Sequence, residues 1–180
     1  GEFPPPFWPP GLSLYMAGWF QFVGNGITSA TAGMLLWHLG LGISWHLAAR
    51  KHLSPQIAIW GQWILAIYPT LLHHSVVPLS QLPVAMALFV AWWAYVEINN
   101  QPKQIIGWLS LMGGCLLLAI MVRPASLVIT PLFIWFAFRK LPSSQRKWLG
   151  IPMMILLLGI GSWQGLLWQE TGRWIWFNEG

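Results

Sequence analysis

Long apolar runs alternate with short polar gaps along almost the whole chain. Because a helix rises about 1.5 Å per residue, roughly 20 apolar residues are needed to cross a hydrocarbon core of about 30 Å. The pattern therefore predicts an all-α fold, a polytopic transmembrane helix bundle of about six spans in a single domain. The predicted spans are residues 31–49, 57–74, 80–97, 105–121, 125–138 and 148–163. Residues 1–30 form an outer loop and one further helix, and residues 164–180 begin an outer region.

The segment before the first span divides into a proline-rich part and a short apolar part. Residues 1–11 read GEFPPPFWPPG, and each proline ring removes a backbone donor that a helix or central strand would use. Residues 12–24 are apolar, but at about 1.5 Å per residue they reach only about 20 Å. We expect them to form a juxtamembrane helix and not a span.

The lysines and arginines lie outside the predicted spans, and seven of the nine fall in alternate gaps. These seven are Arg50, Lys51, Lys103, Arg139, Lys140, Arg146 and Lys147. Arg123 lies in a gap on the opposite side, and Arg173 lies in the tail. Cytoplasmic loops carry an excess of Lys and Arg, so the side with seven cations is predicted to be cytoplasmic. We expect a multi-pass protein of a bacterial inner membrane.

Composition narrows the class of protein further. Hydrophobic residues make up 56% of the chain and charged residues 7%, whereas a soluble domain carries about a quarter charged residues. The net charge of +5 comes from short clusters beside the spans, which suit anionic membrane lipids and argue against nucleic acid as a partner. The single cysteine, Cys115, lies in an apolar run and excludes an intrachain disulfide.

Several residues within the spans carry local predictions. Pro69 is expected to kink its helix, and Ser80 is a candidate N-cap for the next one. His38 and His46 are eight residues apart and lie on roughly one side of a helix. They either form a polar stripe toward a cavity or pack against a neighbouring helix, and packing is the favoured interpretation. Glu97 is expected to be a boundary charge at the cytoplasmic side.

Polar residues near the predicted outer boundary are the candidates for a site. Arg123 stands in MVRPASL, where Pro124 disfavours continuation of the helix. Its guanidinium is suited to a lipid-linked phosphate, and the alternative is an arginine that snorkels to the interface. His73 and His74 are neighbours, but the chain contains no Asp and no third metal ligand is evident. Interfacial hydrogen bonding is therefore favoured over a metal site for this pair.

Four stretches, taken in order, resemble one family of membrane enzymes. They are PPGLSLYMAGWFQFVG, HLAARKHL, YPTLLHHSVVPLSQLP and GWLSLMGGCLLLAIMVRPASL, and together they cover nearly the whole chain. In their order along the chain, and in the side of the membrane on which each is predicted to lie, they resemble segments of the lipid-dependent glycosyltransferases of the GT-C fold. That family contains the protein O-mannosyltransferases and the aminoarabinose transferases.

The resemblance implies transfer of a sugar from a polyprenyl-phosphate donor to a lipid, glycan or protein acceptor on the outer or luminal side. In the family a carboxylate of the first luminal loop acts as base. That loop would precede Gly1, so no catalytic residue is assigned here, and we expect the chain to be a fragment. No cofactor is assigned either, and a divalent metal is left open.

The resemblance also implies roles for individual residues. Arg123 would lie near the carrier phosphate and stabilise the negative charge that grows on the leaving group. Many relatives have Glu where Gln81 stands, so Gln81 keeps the hydrogen bonding without the charge. His73 and His74 belong to the same matching stretch and are included as candidate substrate contacts. The candidate contacts in the outer tail, which would meet the acceptor or cover the site, are Arg173, Asn178 and Glu179.

Two other classes of protein stay open. A transporter is one, although the chain has no pair of matching interrupted helices and no charge in the middle of a span. A noncatalytic membrane subunit is the other. It would have no acidic loop upstream and would not bind a lipid phosphate through Arg123.

Overall fold

The computed structural model describes residues 10–77 and 79–172, and in these ranges it contains helices and no strand. The α-helices are α1 (Pro10–Val23), α2 (Ile27–His52), α3 (Pro55–Ile67), α4 (Pro69–Val76), α5 (Gln81–Asn100), α6 (Ile105–Val122), α7 (Thr130–Lys140) and α8 (Gly150–Thr171). Short 3-10 helices at Pro102–Gln104, Pro124–Val128 and Ser143–Leu149 precede α6, α7 and α8. The all-α prediction is confirmed for the described residues.

Three helical segments of the described chain are long and apolar enough to cross a membrane. They are Gln81–Ile98, Ile105–Val122 and Ser143–Thr171, and they contain the predicted spans 80–97, 105–121 and 148–163 almost entirely. Counting α1 and α2 as one bent span raises the number to 4. The helices thus indicate a membrane protein, but three or four spans meet the length and composition required, where the sequence predicted about six.

The remaining predicted spans are broken or short. Residues 57–74 form two helices, because α3 ends at Ile67 and α4 begins at Pro69. Tyr68 between them has an extended backbone, which is the conformation favoured before a proline. The kink predicted at Pro69 is therefore a complete break. Residues 125–138 form a 3-10 turn and then α7, whose 11 residues reach only about 17 Å.

The short helix predicted before the first span is present as α1. It does not continue into α2, because the two helix axes meet at 118° across a turn in which Gly24 has a positive φ of 87°. Two side-chain hydrogen bonds hold α1 against the start of α2. The Tyr15 hydroxyl donates to the Gly33 carbonyl at 2.6 Å, and Trp19 Nε1 donates to the Ser29 carbonyl at 2.7 Å.

The centre of the bundle is the pair α5 and α6, which share the most extensive helix contact. Helix α2 packs on α5, and α8 packs on α6. The main core cluster includes Ala94, Leu109, Met112 and Leu116, all fully buried. Many large apolar side chains on the outer helix faces are instead exposed, which is typical of a surface that faces lipid tails.

The two ends of this bundle differ in character. One end, called the Glu97 end below, brings Lys51 of α2 and Lys140 of α7 to the last turns of α5 around Glu97. The other, called the Arg123 end, brings the start of α1, the start of α5 and the end of α6 together. Two of the cationic segments that were predicted to lie on one side of the membrane are thus close together, because Lys51 and Lys140 both contact the end of α5.

Candidate functional site

Arg123 is the residue immediately after the last turn of α6. Its backbone is extended, with its N–H donating to the Ala119 carbonyl at 2.8 Å, and Pro124 then begins a 3-10 turn. The side chain is exposed, and within the described residues no hydrogen bond or ion pair engages its guanidinium. Arg123 is therefore a cation held by its backbone at the end of an apolar helix, with its donors free for a ligand.

The start of α1 lies directly against the end of α6. A Cβ added at Gly11 would lie 2.8 Å from the backbone carbon and oxygen of Met121, so only glycine allows this approach. Leu12 of α1 packs in one apolar cluster with Val122 of α6 and Val84 of α5. Gly11 and the residues before Arg123, far apart in the chain, are thus neighbours at the Arg123 end.

Gln81 is the first residue of α5 and lies at the same end of the bundle as Arg123. Val84, one turn further along α5, packs in the cluster with Val122, which precedes Arg123. The Gln81 side-chain oxygen is buried and accepts no hydrogen bond from the described residues. Ser80 occupies the predicted N-cap position, but its side chain makes no capping hydrogen bond.

His73 and His74 lie in the last turn of α4, which leads toward α5. Their rings are 5.5 Å apart, with His73 exposed and His74 half-buried. His74 Nδ1 is buried and has no hydrogen-bond partner among the described residues. The interfacial hydrogen bonding expected for the pair stays a prediction. Neither histidine forms a described contact with Gln81 or Arg123, so the four candidates share an end of the bundle and not one contact network.

The three candidates in the tail, Arg173, Asn178 and Glu179, lie outside the described residues. Helix α8 runs to Thr171, and the αL conformation of Gly172 ends it. The proposed acceptor contacts of the tail stay predictions.

Glu97 has more hydrogen-bond partners than any other described side chain, which the sequence did not predict. Glu97 was expected to be a boundary charge, yet it is 0% exposed. Its carboxylate accepts from Lys51 Nζ at 2.6 Å and is 2.8 Å from His52 Nε2. Trp93 Nε1 and Gln101 Nε2, one turn before and one turn after it, donate at 3.2 Å and 3.3 Å. The four-residue spacing of Trp93, Glu97 and Gln101 was the available signal.

Lys140 completes the Glu97 end from α7. Its ammonium donates to the carbonyls of Tyr95 and Val96 at 3.0 Å and 3.1 Å, near the C-terminus of α5. A cation is favourable at that position because the carbonyl end of a helix carries partial negative charge. The cluster therefore ties α2, α5 and α7 together.

The Arg123 end carries the candidate polar groups. A guanidinium without a described partner, a buried amide oxygen and a buried imidazole nitrogen are polar groups that can bind an anionic, hydroxyl-bearing ligand. Across the described ranges, no group of three His, Cys, Asp or Glu side chains could hold a metal ion. Comparisons of the chain with protein families, with curated proteins and with solved structures found no match.

Proposed function

We propose that this chain is part of an integral membrane glycosyltransferase that transfers a sugar from a polyprenyl-phosphate donor to an acceptor on the outer side. The observation that carries the proposal is Arg123. Its guanidinium is exposed at the end of an apolar helix and has no described ion-pair partner. A cation in that position meets a phosphate that is attached to a lipid and cannot leave the membrane boundary.

The chemistry explains why such a cation is needed. The bond between the anomeric carbon and the carrier phosphate breaks, and a bond from the acceptor oxygen to that carbon forms. The acceptor proton goes to a base, which the resemblance assigns to a carboxylate of the first luminal loop. Negative charge grows on the departing phosphate, and a guanidinium stabilises it more strongly near a low-dielectric boundary than in water.

The backbone of Arg123 is held on both sides of the residue. Its N–H and carbonyl are both engaged, by Ala119 at 2.8 Å and by Ser126 at 2.9 Å. The close approach of Gly11 to Met121 braces the same turn from the other side. Only the side chain of Arg123 needs to adjust when a phosphate binds.

The proposal includes the finer topology predicted from the sequence. It has six crossings of a bacterial inner membrane, with α1 at the boundary. Four helices each make one crossing, namely α2, α5, α6 and α8. The helices α3 and α4 together make another, and the 3-10 turn Pro124–Val128 together with α7 makes the sixth. The Glu97 end then faces the cytoplasm and the Arg123 end faces outward. The exposed apolar side chains of α3, such as Trp60 and Trp63, support a lipid-facing position for that helix.

The test is a substitution series at Arg123 in the full-length protein. Arg123→Ala is expected to lower the rate of sugar transfer from a polyprenyl-phosphate donor by about a hundredfold or more, because loss of one oxyanion donor has that effect. Arg123→Lys keeps the charge and should retain part of the activity. Lys103→Ala removes an exposed cation at the opposite end of α6 and serves as the matched control. Normal transfer by Arg123→Ala would contradict the proposal and favour a noncatalytic subunit.

A further inference from the structure

An apolar groove of about 800 Å³ lies between α7 and α8. Helix α7 packs on α5 and α8 packs on α6, so the facing sides of α7 and α8 remain apart. Ile134 and Phe138 line the groove from α7, and Met153, Leu157 and Ile160 line it from α8. Leu127 and Thr130, which follow Arg123 in the chain, also line the groove, so it runs from Arg146 toward the Arg123 end.

One charged side chain, Arg146, lines this groove. Its Nε donates to the Leu141 carbonyl at 3.3 Å, and its guanidinium lies 4.4 Å from the centre of the Phe138 ring. These two contacts hold the charge at the mouth of the groove. Arg139 and Lys147 lie nearby in the sequence, so this corner of the bundle is strongly cationic.

The cationic corner lacks acidic partners in the described structure. The described chain has two carboxylates, Glu97 and Glu170. Glu97 is engaged by Lys51 and His52, and no described ion pair involves Arg146. An anion from outside the protein is therefore the complementary partner for this corner.

The α8 side of the groove is about as long as one leaflet of a bilayer. Along α8 its lining runs from Gly150 to Ile160, which corresponds to about 15 Å at about 1.5 Å per residue. Half of a hydrocarbon core of about 30 Å is the same length. An extended acyl chain can therefore lie along the groove while its headgroup stays at the level of Arg146.

We infer that this groove binds an anionic glycerophospholipid of the surrounding membrane, with one acyl chain between α7 and α8 and the phosphate on Arg146. A zwitterionic lipid would fill the apolar part equally well, so the charge at Arg146 supplies the selectivity. The inference does not depend on the proposed glycosyltransferase activity, because α7 separates Arg146 from Arg123.

The test is native mass spectrometry of the whole protein in detergent, titrated with phosphatidylglycerol or with phosphatidylcholine of the same acyl chains. The unmodified protein is expected to bind phosphatidylglycerol about five- to tenfold more tightly, because each cation near a membrane surface favours anionic lipid by roughly this factor. Arg146→Gln should abolish the preference, and Arg146→Lys should keep most of it. Lys103→Gln is the control for loss of a cation elsewhere.

A second pair of variants tests the groove itself. Gly150 lines the groove and has a helical backbone, and a Cβ added there meets nothing within 4 Å, so we expect Gly150→Leu to place its side chain in the groove. It should weaken phosphatidylglycerol binding about as much as Arg146→Gln does. Gly161→Leu is the matched control, because Gly161 is on the same helix, is equally open and does not line the groove.

Three results would overturn the inference. The first is an unchanged lipid preference in Arg146→Gln or unchanged binding in Gly150→Leu. The second is displacement of phosphatidylglycerol by a polyprenyl phosphate whose own binding is lost in Gly150→Leu, which would assign the groove to the donor. The third is a dimer of the unmodified protein that Gly150→Leu dissociates, which would make a second copy of the chain the occupant.

Discussion

At the scale of single residues, Pro69 explains the position of His38. Proline has no backbone N–H, so the Leu65 carbonyl, four residues earlier, loses the donor that a continuous helix would supply. His38 Nε2 lies 3.1 Å from that carbonyl oxygen and must carry the proton, because a carbonyl only accepts. The prediction that His38 packs against a neighbouring helix is confirmed, and in an apolar environment such a replacement of a lost donor is strongly favourable.

Glu97 is the residue whose loss should affect stability most clearly. Glu97→Gln removes the charge that Lys51 neutralises, although Lys51 is 42% exposed and its contribution is screened by solvent. Hydrogen bonds to a charged group contribute about 1–3 kcal/mol, and we expect a loss of that order in the free energy of unfolding. The measurement is denaturant unfolding in detergent micelles. Glu170→Gln, at an exposed position, should leave stability nearly unchanged, and equal stabilities of the two variants would contradict this role for Glu97.

At the scale of elements, the sequence indicates where a helix begins or ends better than it indicates which helices pack together. Pro55 begins α3 and Pro69 begins α4, as expected for residues without a donor in the first turn. Which face of a helix is buried was not evident, because both the protein-facing and the lipid-facing sides are apolar. The adjacent glycines Gly113 and Gly114 illustrate the difference, since they look alike in sequence and have different surroundings.

Alanine at these two positions should have opposite outcomes. A Cβ at Gly113 would lie 2.7 Å from Pro152 Cα, so Gly113→Ala must push α6 and α8 apart. We expect it to lower the free energy of unfolding by about 1–3 kcal/mol, the usual effect of overpacking. A Cβ at Gly114 meets nothing within 4 Å, so Gly114→Ala should be neutral or stabilise the helix by up to about 1 kcal/mol. Thermal unfolding of both variants in micelles tests this contact, and indistinguishable midpoints would argue against it.

At the scale of the whole molecule, the distribution of cations predicts which end faces the cytoplasm. Lys103 and Ala125 are exposed residues near opposite ends of α6, and Cys115 lies between them. On a Cys115→Ala background, Ala125→Cys should react with an impermeant maleimide added to intact cells. Lys103→Cys should react only after permeabilisation, because the positive-inside rule places it in the cytoplasm. The reverse pattern of labelling would refute the proposed orientation.

At the candidate site, too, features set by neighbouring residues were predicted from the sequence, and features set by contacts between distant residues were not. Arg123 was identified from its position between an apolar run and a proline, and its exposed place after α6 agrees with that prediction. Gln81 and His74 were predicted to lie at the same end. The sequence did not indicate that each has a buried polar atom without a hydrogen-bond partner among the described residues. The contact of Gly11 with Met121, which joins two of the matching stretches, depends on how α1 crosses α6.

The sequence by itself determined that this chain is helical, that its long helices are apolar enough for a membrane, and that its cations cluster beside particular helix ends. These properties follow from hydropathy, proline positions and charge, which act over neighbouring residues. Only the tertiary structure decided that Glu97 is buried among Lys51 and His52, that α7 is too short to span alone, and that α7 and α8 leave a groove. Contacts between helices depend on crossing geometry among residues far apart in the chain, and an almost uniformly apolar sequence carries little information about it.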